Sequence, residues 1–319
     1  MTWVTWAQHR REALVTTLIL GITGALLLIT GLSMLADFDR SGIARCVGAG
    51  ASAVGVFAGG SSCDVVGNFP LRWHRLDVVA PLALMSLPAL LGVFIAAPLL
   101  SREFEQGTHL LAWSQSITRL RWAASKLGLV AGYVLLVASA LAILVVWWHK
   151  PLDLAGFNGP WDAFDIEGLV PIAYAAFALA VGTLAGLVIR RTVPAMALTL
   201  FLFVGFRLLV FFIRPHFLLP VTGSAMNVGQ GAWLVGPSHY ADTHGHLLSL
   251  DQVNGVMQGY AGSSAAGLTD YLHQHGINLL ADYQPLGRFW TFQAIEAAIF
   301  FGLTAFLIAA ALWWLQRRA

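Results

Sequence analysis

The stretch "HYADTHGH" at 239–246 gathers His239, His244 and His246 around Asp242, and His273 and His275 follow later. Zinc takes imidazole and carboxylate ligands, so the cluster raises a metal question. It lacks a pair of histidines four apart on a helix, and histidine is ordinary in polar loops. No metal site is assigned from it. Two charges inside apolar runs raise a different question. Arg207 sits in "FLFVGFRLLVFFI" and Glu296 in "RFWTFQAIEAAIF". Either one alone in hydrocarbon is expensive, by about 2.5–3.5 kcal/mol on insertion scales. Counted from the ends of their runs, both lie roughly 10–12 Å below the same surface at a rise of about 1.5 Å per residue. An Arg207–Glu296 ion pair is therefore expected, either clamping two helices or opening during a cycle. The competing arrangement is an Arg207 that snorkels to the headgroups.

Cys46 and Cys63 are the two cysteines, and both fall in the first long polar segment. A disulfide there suits an oxidising exterior, with two free thiols as the alternative.

Other chemistry is absent from the sequence. A phosphate-binding loop ends in Lys-Ser or Lys-Thr, but Lys126 is followed by Leu and Lys150 by Pro. No HExxH, GxSxG or CxxC pattern occurs. Glu296 is the one acid well inside an apolar run, which is too few for an ion relay. The chain carries neither a nucleotide engine nor an assembled catalytic cluster.

The elements that would position these residues follow from composition. Of 319 residues 58% are hydrophobic and 11% charged, too few charges to coat a soluble globule. Six apolar runs, at about 13–35, 78–100, 127–148, 168–189, 193–213 and 290–314, are each long enough to cross a bilayer. Pro81, Pro88 and Pro98 predict a kinked second span. The first run is too long for a signal peptide, and "SMLADF" offers no cleavage site. Six spans put both termini on one side. That side carries ten Arg or Lys against three acids, and the other carries seven against twelve. The positive-inside rule places both termini in the cytoplasm of a multi-pass membrane protein. No basic nucleic-acid surface is visible.

Residues 1–12, with Trp3 and Trp6 one turn apart before Arg10 and Arg11, predict an interfacial helix. Residues 13–213 hold spans one to five. Residues 214–289 predict an extracellular subdomain of short helices, around 247–258 and 268–281, and residues 290–319 the last span and a cytoplasmic tail. Gly128/Gly132 and Gly182/Gly186 have the GxxxG spacing that permits close helix packing, at a frequency that chance also explains. The expected fold class is an all-α polytopic membrane protein.

Between spans two and three lies "SREFEQGTHLLAWSQSITRLRWAASK", 101–126. The second helix runs on through Arg102, Glu103 and Glu105. Gly107 stops it, and Thr108 is placed to cap a new helix. Leu110, Trp113, Ile117 and Leu120 then share one apolar face. Such a face, with no core of its own, must lie on the membrane or on a partner.

This stretch resembles the one that contains the coupling helix of ABC-2 type export permeases. Glu103, Gly107, Thr108, Leu110, Leu111, Arg119 and Lys126 match residue by residue. Ser114-Gln115-Ser116 stands where many members have Ser-Pro or Thr-Pro. "YQPLGRFWTFQAIEAAIF" at 283–300 resembles the start of the last span in actinobacterial members. The resemblance implies a permease subunit whose coupling residues include Arg102, Glu103, Glu105, Gly107, Thr108, Leu110, Leu111, Trp113 and Arg119. It implies no cofactor in this chain, with ATP and Mg²⁺ bound by a separate ATPase present in two copies. It further implies a second permease subunit, a homodimer being expected, and an elbow role for the N-terminal helix. The competing reading is a non-transporting polytopic sensor or immunity protein with an external ligand-binding domain. A membrane enzyme ranks third.

Overall fold

The computed structural model describes residues 2–43, 65–107, 118–155, 159–225, 228–229, 231–262 and 265–318. It divides into two compact units. One comprises 1–158, 162–212 and 291–319; the other comprises 159–161 and 213–290.

Among the described residues, six helices are long and apolar enough to cross a membrane. In order, α1 is Thr2–Ser41, α2 Val65–Leu91, α3 Ala97–Glu105, α4 Arg119–Leu154, α5 Val170–Ile189 and α6 Thr192–Ile213, with the last, α9, at Phe289–Arg318. The helical pattern of α1 is unbroken from Thr2 to Ser41, so residues 2–12 continue directly into the first span. Spans two and three overrun their apolar cores, covering Arg72–Glu105 and Arg119–Leu154. Intrahelical hydrogen bonds satisfy the backbone on either side of a membrane boundary, so polar residues continue the helix.

The predicted kink in span two takes the form of a π segment, Gly92–Ala96, between α2 and α3. The Ala97 N–H reaches five residues back to the Gly92 carbonyl, and Pro98 follows in the first turn of α3. One extra residue per turn is the geometry of a π-bulge, and such bulges cluster where helices are re-aimed.

Helix α5 is the axis of the first unit. It packs against α2, the π segment, α3 and α4, and 78% of its apolar window is buried against 17% for spans three and five. Its sequence, "VPIAYAAFALAVGTLAGLVI", is apolar on every face and rich in small residues. That combination lets backbones approach where apolar driving force is weak. A methyl on Gly182 would stand 2.7 Å from the Gly92 carbonyl oxygen, and one on Gly186 2.5 Å from the Ala97 oxygen. This glycine pair is therefore a packing seam. At Gly128 and Gly132 a methyl would meet nothing within 4 Å.

The second unit departs from the helical expectation. Helices α7 (Leu250–Met257) and α8 (Ala265–Gln274) lie where short helices were expected, but a four-stranded antiparallel sheet accompanies them. Its strands are β1 (Val221–Ser224), β2 (Trp233–Leu234), β3 (His239–Ala241) and β4 (Asn278–Gln284). β4 is central: β1 pairs along one edge, while β2 and β3 lie end to end along the other. The expected helix at 268–281 divides at Gly276, whose φ of +75° suits glycine and ends α8 before β4 begins. Trp161 stacks on Trp233 at 5.3 Å and meets Phe289 edge-on at 5.5 Å, which ties residues 159–161 into this unit.

Candidate functional site

The segment between spans two and three begins on a braced base. α3 ends at Glu105; the Gln106 N–H bonds to the Arg102 carbonyl at 2.9 Å and the Gly107 N–H to that of Phe104 at 3.3 Å. Gly107 has φ +72°, so glycine terminates the helix as its position implied. Residues 108–117, including Thr108, Leu110, Leu111 and Trp113, lie outside the described residues. The chain resumes at Thr118, whose side chain accepts from the Arg121 N–H and caps α4. Arg102 and Arg119 are exposed.

The acids on either side of Phe104 have separate partners. Glu103 forms a buried ion pair with Lys126 of α4, and the Lys126 ammonium also lies 5.2 Å from the Trp122 ring centre. Glu105 accepts from both the backbone N–H (3.1 Å) and hydroxyl (2.6 Å) of Thr192, at the start of α6. Phe104 meets Trp122 edge-on at 6.3 Å, and the Arg190 guanidinium lies 5.2 Å from the Phe104 ring. Leu100, Trp122, Leu187 and Leu315 form the apolar packing beneath. The 23-residue interval from Glu103 to Lys126 thus closes on itself through a charge pair.

A second polar cluster lies at the opposite end of α5. Tyr174 is fully buried. Its hydroxyl is 2.9 Å from the Asp165 carboxylate and also hydrogen-bonds Glu296 of α9. The Arg207 guanidinium of α6 lies 3.9 Å from the Tyr174 ring centre and 3.6 Å from Asp165. Arg207 and Glu296 therefore share one tyrosine, and the charge partner of Arg207 at 3.6 Å is Asp165. Phe300 packs edge-on against Tyr174 at 4.8 Å and walls the cluster. Beside it, Gln293 accepts from the Leu169 and Val170 N–H groups, each at 3.1 Å, and donates to the Phe164 carbonyl at 2.8 Å. Its side chain caps α5.

A family model described as ABC-2 membrane transporter related matches residues 17–214, well over half of the chain. The chain belongs to that family. No curated protein and no solved structure matches it. As an ABC-2 permease it is a multi-pass membrane component of an ABC transporter, of a family whose membrane subunits have no ATP site of their own, and that membership implies partnership with an ABC ATPase.

Several permease residues were not identified by sequence reasoning. Neither Asp165, one of the acids between spans three and four, nor Tyr174, a lone hydroxyl at the start of a run of small apolar residues, was singled out. Glu296 is 122 residues from Tyr174, and Asp165, nine residues before it, lies outside α5, so no helical spacing links the three. The histidine stretch of the permease has a local explanation. Asp242 accepts from the backbone N–H groups of His244 (2.8 Å) and His246 (2.9 Å) and contacts the His246 ring at 3.1 Å, the bonding of a side-chain-capped turn. The His246 backbone bond foremost holds the Asp242 carboxyl below its usual range. Cys46 and Cys63 lie outside the described residues.

Proposed function

We propose that this permease forms the substrate path of an ATP-driven exporter and that residues 101–126 dock on the ATPase. Glu103–Lys126 is the observation that carries the reading. A buried ion pair between the end of span two and the start of span three converts a push on the residues that connect them into movement of both spans together, and Glu105 extends the link to α6. On this reading Arg102 and Arg119, exposed at the two ends, contact the ATPase with Thr108, Leu110, Leu111 and Trp113 between them. Two permease chains act with two ATPases, as a homodimer. ATP and Mg²⁺ reside in the ATPases, and this chain holds no cofactor of its own for that reaction. The termini face the cytoplasm of a bacterial cell membrane, which puts residues 214–289 outside. The cargo is apolar or amphipathic, in keeping with a cleft lined by Leu20, Leu87, Leu91, Val137, Leu141 and Ala175. Arg207 and Glu296, brought to one tyrosine, clamp α6 to α9, and this link opens during the cycle.

The test is co-purification with the ATPase encoded beside it, followed by ATPase stimulation with amphipathic compounds. Gly107→Pro fixes φ near −65° where the backbone needs a positive value. It is expected to leave the permease in the membrane while cutting ATPase recovery or uncoupling hydrolysis. Full recovery and full transport in both Gly107→Pro and Glu103→Ala would falsify the docking assignment.

A further inference from the structure

Near the end of α4, away from the coupling segment, three ligand-type atoms converge without hydrogen bonds. His149 and Asp153 are four residues apart on the last turns of α4, and Glu167 comes from the turn segment before α5. His149 Nδ1 lies 3.0 Å from Asp153 Oδ1 and 3.4 Å from Glu167 Oε1. The three atoms all lie within 4.8 Å of one another. Each is buried, and none makes a hydrogen bond. His149 is 1% exposed. Buried polar atoms are normally satisfied, so three orphans aimed at one point need an explanation.

Behind the imidazole, Asp77 of α2 stands 3.8 Å from His149 Nε2. A carboxylate on that side favours a proton on Nε2 and leaves the Nδ1 lone pair facing Asp153 and Glu167. This is the outer-shell arrangement of a metal-binding histidine. Charge points the same way. Three carboxylates surround one imidazole, so even a protonated His149 leaves two negative charges in excess when the acids are ionised.

We propose that His149, Asp153 and Glu167 bind a divalent transition-metal ion, with zinc the fitting chemistry, and that Asp77 orients the histidine. A tetrahedral ion with bonds of about 2.0–2.1 Å holds its ligand atoms roughly 3.3–3.4 Å apart. The observed 3.0 and 3.4 Å contacts lie close to that value. One nitrogen and two oxygens suit zinc better than calcium, which takes about 6–8 oxygens at about 2.3–2.6 Å. Three protein ligands leave the fourth position to water or cargo. The Asp153 side chain is 28% exposed and gives the ion a way in. Binding ties α4 to the turn before α5, with Asp77 bringing in α2, and any proton on Nδ1 leaves to solvent as the ion enters.

The experiment uses the full-length permease in detergent, stripped with EDTA and desalted. Zn²⁺ is titrated calorimetrically and by thermal melting, with Co²⁺ as a spectroscopic stand-in and Ca²⁺ as a comparator. The expected result is about one tight Zn²⁺ per chain, a raised melting temperature, and visible Co²⁺ bands of tetrahedral type. His149→Gln and Asp153→Asn should weaken the site at least a hundredfold, and Asp77→Asn by about ten- to a hundredfold. His246→Ala, at the exposed turn, should leave it unchanged. The proposal is overturned if wild type binds no stoichiometric Zn²⁺ and does not shift its melting temperature. It is equally overturned if His246→Ala abolishes binding that His149→Gln retains. The wild-type titration decides by itself should the buried variants fail to fold.

Discussion

Helices α4 and α5 each carry two glycines four residues apart, and the pairs do opposite things. Gly182 and Gly186 of α5 press on the backbone of Gly92 and Ala97, and a methyl at either would sit under 3 Å from it. Gly128 and Gly132 of α4 face open space. Identical spacing, in helices of similar hydropathy, is a seam in one and a bare face in the other. GxxxG spacing therefore permits an approach without specifying one; what decides is whether the partner also offers small residues. Span two does, with Gly92, Ala96 and Ala97 where α5 crosses it.

Gly186→Leu should break the comparison most severely. Its first added carbon meets a backbone oxygen that cannot rotate away, so a loss above about 5 kcal/mol is expected. The readout is failure of the chain to accumulate as a monodisperse peak on detergent size exclusion. Lys126→Met comes next. It tests whether α4 is held at its first turns by charge, since its glycines do not hold it. Stranding the buried Glu103 costs about 3–5 kcal/mol, and Glu103→Leu combined with Lys126→Leu should recover most of that in a thermal melt. Simple addition of the two single losses would show that the pair contributes nothing. Tyr174→Phe removes the hydroxyl between Asp165 and Glu296 and should lower stability by about 1–3 kcal/mol, leaving buried oxygens with one partner fewer. Gly132→Ala should be the smallest, within about 0.5 kcal/mol or stabilising through helix propensity. A large loss there would mean that something covers the α4 face in the working complex.

What was legible in the sequence followed from length and apolarity. Six spans and a glycine stop at 107 needed only local rules, because a membrane helix satisfies its own backbone. The centrality of α5 was harder to see. Its mean hydropathy resembles that of its neighbours, and only its density of alanine and glycine hinted at contact on all sides. The sheet of the second unit was illegible because β1, β2 and β3 are two to four residues long, and "NLLADYQ" follows a helix closely enough to blur the period. The polar clusters divide in the same way. Glu103 and Lys126 were marked by a resemblance, and their pairing explains the spacing of that motif. Asp165 and Glu167 were visible as acids, but their partners lie on helices elsewhere in the chain. One local signal was there to read: "HKPLD" puts His149 and Asp153 four apart on a helix, the spacing that sets two side chains on one face.

The cap that Gln293 places on α5 has a mechanical consequence. One amide accepts from two N–H groups and donates to one carbonyl across three stretches of chain. Rotating α9 by a single residue, about 100°, would break all three bonds at once, two of them buried, whereas a tilt that leaves the amide in place breaks none. Sliding and rolling of the last helix at this point are therefore disfavoured against swinging. Its travel grows with distance from Gln293, and the largest excursion of α9 falls at its far end, beside Trp314 and Leu315, on the same packing as Leu100 and Trp122 at the facing ends of spans two and three. Gln293 is the fulcrum of a lever whose long arm ends where the ATPase is proposed to push.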